Sequence, residues 1–560
     1  AFLACLVFVG FATCSFYFFF DKDDHQQPFS IRETKASPSE IALFSNCVLP
    51  IIPKDGWTPE LYKITNRNIT LFDGCDRYFI PYTVLGENGT VWIHEEHANE
   101  DGLECYASGD ENTRVLNTFD VKAEELKRKQ MTGNDSRPNV LMIIFDSVTN
   151  GLALRALPKT IAYLTEKMGA TNFARLNEIG HNSRPNGFPL LLGKLISKVN
   201  RGLYNLPALE PDMTYIDSCA KPVNESDFII SRFRKAGYKT LFAEDWGFYG
   251  TFTYPGCAGF TEQPTDRYLK PFIHYLENNI DNLSTPATEH KLPGCYRQYQ
   301  SALEYYEKFV QHYGDGLPKM SLLWTNIAHS GASDYLFYMD DVLLDFFKRH
   351  YKQLDNSYVI LAADHGPHYG NLVDLSQSSY ETKNPMLFIS VPKEIRGRAH
   401  LKENSEQLVT PFDVHATLDP FLNESHGHAE KWGNSLLHKL PEGERSCRTL
   451  PIPWQFCMCE FKMKPVQKKK KSGTSTFERR LGTQLIQYVN HVIQLENLTD
   501  ICHHIDLKSV GHVKYYETTD GLYDVKAYGK PCDGEFKATM RAKRSGDISI
   551  VTQSLLRTNM

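Results

Sequence analysis

Six apolar residues, Val140 to Phe145 (VLMIIF), run without a polar interruption and stop at Asp146. The run is too short for a buried helix and has no alternation that would leave one face wet. It therefore predicts a parallel strand covered on both sides, delivering a carboxylate at its carboxyl end. The texture recurs: YKTLFAED ends in Glu244-Asp245, KMSLLWTNIAH in His329, and SYVILAADHG in Asp364-His365, with a further strand at PMLFISVP. Between these lie helix-compatible stretches such as LPKTIAYLTEKMG, and Tyr335 to about His350, where Met339, Val342, Leu343, Phe346 and His350 share one face. Such alternation predicts an α/β fold with a mostly parallel sheet covered by helices on both faces. The four acid- or imidazole-bearing strand ends then fall on one edge, where open α/β sheets bind their ligands.

A second feature belongs with that edge. In GHNSRPNGFPLLLG, Ser183 is followed by Arg184 and Pro185 and then by an apolar run. Proline suits the first turn of a helix and a preceding serine suits its N-cap, so Ser183 is placed at a helix N-terminus, where the dipole and free amides favour an anion. A plain helix cap is the competing reading. Asp364-His365-Gly366 is a metal-ligand pair in the same sense, a carboxylate and an imidazole side by side at a strand end. An ordinary loop is its competitor.

Around this core, from about 136 to 460, the chain changes texture. Ala1 to Phe20 carries no charge and is long enough to cross a bilayer, and Asp21 to Asp24 is mainly acidic. That predicts a transmembrane signal-anchor with the remainder in the secretory lumen (Golgi or ER side) or outside the cell, a cleaved signal peptide being the alternative. Residues 21–44 are expected to form a polar stem. Residues 45–130 are expected to form a small β-rich module held by disulfide among Cys47, Cys75 and Cys105, and residues 461–560 a β-rich accessory region. All cysteines but Cys5 and Cys14 lie beyond the apolar segment, which favours disulfides in an oxidising compartment. Sequons at Asn68, Asn88, Asn134, Asn224, Asn282, Asn423 and Asn497 predict glycosylation there. Cys457-Met458-Cys459 reads as disulfide-forming rather than zinc-binding in such a chain. With 41% apolar residues, 23% charged residues and net charge −6, nothing points to a nucleic-acid partner.

The pair PNVLMIIFDSVT and GHNSRPNGFPLLLG, with AEDWGFYGTF, PTDRYLKPF, ADHG and WQFCMC, resembles the alkaline phosphatase and sulfatase superfamily, and within it an animal branch known only as a domain of unknown function. The resemblance implies an alkaline-phosphatase-like core in which Asp146, Ser183, Asp364 and His365 bind one divalent metal, expected to be Zn²⁺. Ser183 then becomes a metal-activated nucleophile, since a serine hydroxyl attacks poorly at neutral pH until coordination or a base lowers its pKa. It also implies that Asn186 holds a phosphoryl oxygen, with a helix first-turn role as the alternative. His329 is the expected contact to a second metal, for which Asp245 and Asp334 are possible further ligands because Thr325 and Asn326 stand where an acid is expected. His368 is a possible further metal ligand or substrate contact, with a plain loop histidine as the alternative, and Glu381 is expected to be structural.

Sulfatases of the superfamily resemble Cys-x-Pro-x-Arg at the nucleophile, whereas this chain reads Ser183-Arg184-Pro185-Asn186-Gly187. The resemblance thus implies a phosphoric-ester hydrolase or phosphotransferase. A phosphorylated small molecule, glycan or lipid headgroup is the expected partner in the secretory setting. A non-catalytic binding protein on the same fold is the alternative, favoured by the missing acid near His329, and a sulfatase is the third choice.

Overall fold

The strand predicted first from the sequence is the centre of the architecture. The computed structural model describes residues 32–65, 83–85, 91–93, 137–274 and 298–557, with short interruptions inside the last two ranges, the longest at 330–334, 423–430 and 467–474. The chain divides into two units: one of residues 51–196 and 216–445, the other of residues 1–50, 197–215 and 446–560. Three short strands precede the core: β1 (Arg32–Thr34), and the antiparallel pair β2 (Thr83–Leu85) and β3 (Val91–Ile93).

The larger unit is built on β4 (Val140–Phe145), β5 (Thr171–Asn172), β6 (Lys239–Glu244), β7 (Arg267–Tyr268), β8 (Lys319–Thr325), β9 (Tyr358–Ala363) and β10 (Leu387–Ser390), in the order β5-β10-β9-β4-β8-β6-β7. Strands β9, β4, β8, β6 and β7 are parallel, whereas β10 runs antiparallel to β9, and β5 antiparallel to β10. Every residue of β4 is buried, as expected of a strand covered on both faces. On one face helices Asn150–Ala156, Pro158–Glu166, Gln298–His312 and Leu336–Arg349 bury Leu152, Ile161, Phe309 and Phe346 against Leu141, Ile143, Phe145 and Leu361. On the other, Phe228, before helix Ile229–Lys235, packs on Phe242, and helix Ser183–Leu192 approaches through Gly187. A Cβ on Gly187 would stand 2.5 Å from Thr251 Cγ2 and 3.5 Å from the Trp324 ring, so only glycine permits that approach.

The smaller unit contains β11 (Met463–Pro465), β12 (Asp506–Tyr516), β13 (Leu522–Lys530), β14 (Glu535–Ala542), β15 (Ile548–Val551) and β16 (Leu556–Arg557). They form a sheet in the order β1-β15-β14-β13-β12-β11, with β16 on β14. Helix Thr476–Leu495 covers one face, inserting Leu481, Leu485, Val489 and Val492 against Val513, Val525, Ala538 and Met540. The region thus holds a sheet together with the helix that the spacing of Leu481, Leu485, Val489 and Val492 implies.

Two expectations are corrected here. The described part of the predicted stem, from Arg32, pairs as β1 with β15 and continues into helix Pro38–Ser45, whose Phe44 packs edge-on against Phe461 and Tyr516. Its polarity misled because Glu40 is buried in an ion pair with Arg541 rather than solvated. Cys47, expected to pair within the N-terminal module, is bonded to Cys459 across 412 residues, with Cys447–Cys457 beside it. Cys75, Cys105 and the apolar segment at 1–20 lie outside the described residues, as does Asp334. Among the described residues no helix is long and apolar enough to cross a membrane.

Candidate active site

Parallel pairing places the ends of β9, β4, β8 and β6 side by side, with Phe145 level with Thr325 and Ala363. The next residue on β4 extends the ladder: Asp146 N–H donates to the Thr325 carbonyl at 2.9 Å, which fixes where its carboxylate emerges. Ser147 then turns the chain with φ of 65°, in the left-handed region that non-glycine residues seldom occupy. That turn serves the site twice, because Ser147 N–H donates to Asp364 Oδ1 at 3.2 Å and its hydroxyl to Asp146 Oδ1 at 2.7 Å. Sequence reasoning passed over Ser147; its place immediately after the strand-end acid was the available signal.

Ser183 is the first residue of helix Ser183–Leu192, and the N-cap is Asn182, in extended conformation with no side-chain cap bond. The shift by one residue from the expected N-cap leaves the serine hydroxyl for the site. It donates to Asp146 Oδ2 at 3.0 Å and lies 3.4 Å from His365 Nε2. Asp364 receives the His365 backbone N–H on Oδ1 at 2.8 Å, while its Oδ2 is buried with no hydrogen-bond partner.

His365 completes a group that could hold a cation. Its Nδ1 lies 2.8 Å from the Gly366 carbonyl, a contact that only an N–H makes, and its Nε2 faces Asp364 Oδ2 at 3.4 Å and Asp146 Oδ1 at 3.5 Å. Ligand atoms of Asp146, Asp364 and His365 all lie within 4.8 Å of one another, and all three residues are buried. Burial and the adjacent Asp146 charge push Asp364 up to about 7. Burial opposes the charge on Asp146, but His329 and His365, with the two serine hydroxyls, outweigh it and hold that carboxyl low. Acceptors facing one another, one oxygen without a partner and a mixed N/O donor set are what a divalent metal such as Zn²⁺ requires. The residues present fit it.

The remaining candidates divide. His329 Nε2 stands 3.9 Å from Asp146 Oδ1, with its ring edge-on to Trp246 at 4.9 Å. His368 stacks on His365 at 4.5 Å and on His181 at 3.8 Å, which brings in a histidine that sequence reasoning did not single out. Asp245 is occupied elsewhere: its Oδ2 accepts from Thr325 Oγ1 at 2.6 Å and its Oδ1 from Asn326 N and Nδ2, each at 2.8 Å. Asn326, where an acid was expected, thus pairs with an acid and tethers the strand end.

Asn186 has a role other than the expected phosphoryl contact. It is fully buried, its Oδ1 accepts from Ile179 N at 2.7 Å and Gly180 N at 3.3 Å, and its Nδ2 donates to the Gly180 and Asn182 carbonyls at 2.7 and 2.9 Å. With its amide fully bonded it shapes the loop that presents Ser183. Glu178, also passed over by sequence reasoning, is buried behind His365 and is raised to about 8, chiefly by burial. Glu381 is structural as expected, pairing with Arg155 and accepting from Thr149. Of the sequons, Asn224 and Asn497 are exposed and the other five lie outside the described residues.

A mostly parallel α/β sheet with a serine, two carboxylates and an imidazole gathered at its strand ends defines an α/β protein with a candidate metal site at one sheet edge. Residues 88–511 match the family described as "Protein of unknown function (DUF229)", and the chain belongs to that family. No curated protein matches it. Similar solved structures include the phosphonate monoester hydrolase SpPMH from Silicibacter pomeroyi, at 13% identity over 73% of this chain and 90% of that one, with a TM-score of 0.39. A protein in the alkaline phosphatase superfamily from Vibrio parahaemolyticus is 14% identical over 75% of this chain and 83% of that one, with a TM-score of 0.33. The C-terminal periplasmic domain of EcEptC from Escherichia coli, in complex with Zn, is 10% identical over 52% of this chain and 84% of that one, also with a TM-score of 0.33. The resemblance to a domain-of-unknown-function branch read from the sequence is thereby borne out.

Proposed function

We propose that the chain is a metal-dependent phosphoric-ester hydrolase or phosphotransferase with Ser183 as its nucleophile. The observation that carries the reading is the Ser183 hydroxyl at a helix start, bonded to Asp146 Oδ2 at 3.0 Å beside the unpartnered Asp364 Oδ2. A divalent ion held by Asp146, Ser183, Asp364 and His365 would supply the positive charge that lowers the serine pKa and offsets charge on the phosphoryl oxygens. Asp146 orients the hydroxyl through the hydrogen bond it accepts. The helix amides behind Ser183 favour the incoming anion, and His329 flanks the same ground. Ser183 Oγ then bonds to phosphorus as the P–O bond to the leaving alcohol breaks and that alcohol takes up a proton. Water or an acceptor hydroxyl afterwards displaces the serine.

Disulfides and exposed sequons support a secretory-lumen or extracellular location, and the apolar segment at 1–20 supports a membrane anchor. In that setting phosphorylated glycans and lipid headgroups are the accessible substrates. A non-catalytic binding protein is the second reading, favoured by the pairing of Asp245 with Thr325 and Asn326, which leaves that acid unavailable to a second metal near His329.

The experiment is metal content together with turnover of phosphate mono- and diester reporters, for the wild type and for Ser183→Ala and Asp364→Ala. Copurifying metal and activity lost in both variants support the enzyme. A wild type that binds no metal and turns over nothing with Zn²⁺ or Mn²⁺ refutes it.

A further inference from the structure

Arg184, the residue after Ser183, is buried and directs its guanidinium at sulfur: its Nη2 donates to Cys257 Sγ at 2.5 Å. Cys257 is bonded to Cys219, 38 residues earlier. Cys447, Cys457 and Cys459 are only 2%, 3% and 6% exposed, whereas Cys219 and Cys257 are both half-buried, so a solute can reach their bridge. The two ends of that bridge also differ from each other. Cys257 has the buried guanidinium, while the charges flanking Cys219, Asp217 and Lys221, pair with one another at 3.1 Å. Backbone bonds hold the bridged segments together independently of the sulfurs: Ala258 N–H donates to the Cys219 carbonyl at 2.9 Å and Val223 N–H to the Gly259 carbonyl at 2.8 Å.

We propose that Cys219–Cys257 is a thiol-exchange site, at which Cys219 takes up a small thiol of the glutathione class and Cys257 is the sulfur that leaves. In thiol–disulfide exchange the departing sulfur carries away the electron pair, so departure is favoured at the end where a thiolate is stabilised. A guanidinium in contact with the sulfur provides that stabilisation and keeps its own charge at any working pH. The incoming thiolate attacks Cys219 Sγ and a bond forms between those two sulfurs. The Cys219–Cys257 bond breaks, and its electron pair stays on Cys257 Sγ as a thiolate paired with Arg184. A second thiolate then attacks the small-thiol sulfur of the mixed disulfide, releasing the symmetrical disulfide and leaving Cys219 as a thiolate that takes a proton from water. Because Arg184 belongs to the first turn of helix Ser183–Leu192, the state of the bridge registers one residue from Ser183. The exchange does not depend on phosphoryl transfer.

The test incubates the full chain with reduced glutathione, traps free thiols with N-ethylmaleimide and locates the mixed disulfide by peptide mass spectrometry. The expected result is glutathione on Cys219 with maleimide on Cys257, at least tenfold over the reverse arrangement, and a ratio that falls at least fivefold in Arg184→Gln. A second measurement leaves Arg184 in place and so decides the matter even where that variant fails to fold. In Cys219→Ser, the rate of Cys257 alkylation by iodoacetamide against pH should give a thiol pKa at least one unit, or tenfold in thiolate equilibrium, below the ordinary value of about 8.5. Equal adducts on the two cysteines, adducts confined to Cys447, Cys457 or Cys459, no adduct at all, or an ordinary pKa for Cys257 overturns the inference, as does a ratio that Arg184→Gln leaves unchanged.

Discussion

Replacing Asp364 by asparagine tests whether two buried carboxylates are held together for a cation. Without metal, Asp364 is raised to about 7 by burial and the neighbouring Asp146 charge, with one oxygen unpartnered. In the unfolded chain an aspartate titrates near 3.9. The folded protein therefore holds the proton more tightly, and the stability associated with it is full below about pH 4 and lost as pH rises through about 7. At roughly 1.4 kcal/mol per pKa unit, some three units cost about 4 kcal/mol at pH 8. Asparagine keeps the Oδ1 contacts to His365 N and Ser147 N and removes the second buried carboxylate charge beside Asp146. Urea unfolding in a chelator should show Asp364→Asn several kcal/mol more stable than wild type at pH 8 and nearly equal at pH 4. With Zn²⁺ at a thousandfold over its Kd the wild type gains about 4 kcal/mol by mass action, and the variant gains little. If the variant is less stable than metal-free wild type at pH 8, the carboxylates are not in conflict and the argument for a cation site fails.

Three other substitutions probe the surroundings. Asn186→Ala leaves the Ile179 N–H and the Gly180 carbonyl without their partner, so it should cost about 2–4 kcal/mol and lower turnover through the displaced Ser183 loop; unchanged stability in urea would contradict the loop-shaping role. Asp245→Ala should cost a similar 2–3 kcal/mol or so, because Asn326 and Thr325 lose a buried acceptor, while bound metal per chain stays constant. A drop in metal content by elemental analysis would make Asp245 a ligand after all. Ile144→Ala, at a fully buried position in the central strand, should cost roughly 2–5 kcal/mol by denaturant titration, and a change below 1 would mean the sheet is not covered on both faces.

Much of the core was legible because buried parallel strands have a one-dimensional signature. VLMIIF, YKTLFAE and YVILAA each became a strand at its expected place, and the acids and imidazoles at their ends were predictable neighbours once the strands were parallel. Helix Leu336–Arg349 followed its apolar period to within a residue at either end. The small unit was less legible, since Arg32 to Thr34 is polar in composition and acquires its partner, β15, from more than 500 residues away.

By itself, then, the sequence determined which residues are apolar at which spacing. That was enough for an α/β sheet and for one edge carrying acids and imidazoles, while the grouping of Asp146, Ser183, Asp364 and His365 followed from the family resemblance. Whether a given polar side chain faces the site or another part of the protein was decided only in three dimensions. Asn186 and Asp245 lie near the right strand and loop ends, yet their hydrogen bonds are taken up by backbone and neighbours that no local pattern reveals. Conversely Ser147, Glu178 and His181 enter the site because a left-handed turn, a buried loop and a stack of rings bring them there. Hydrophobic periodicity is a property of neighbours along the chain, whereas the satisfaction of a buried polar group depends on whatever folds against it.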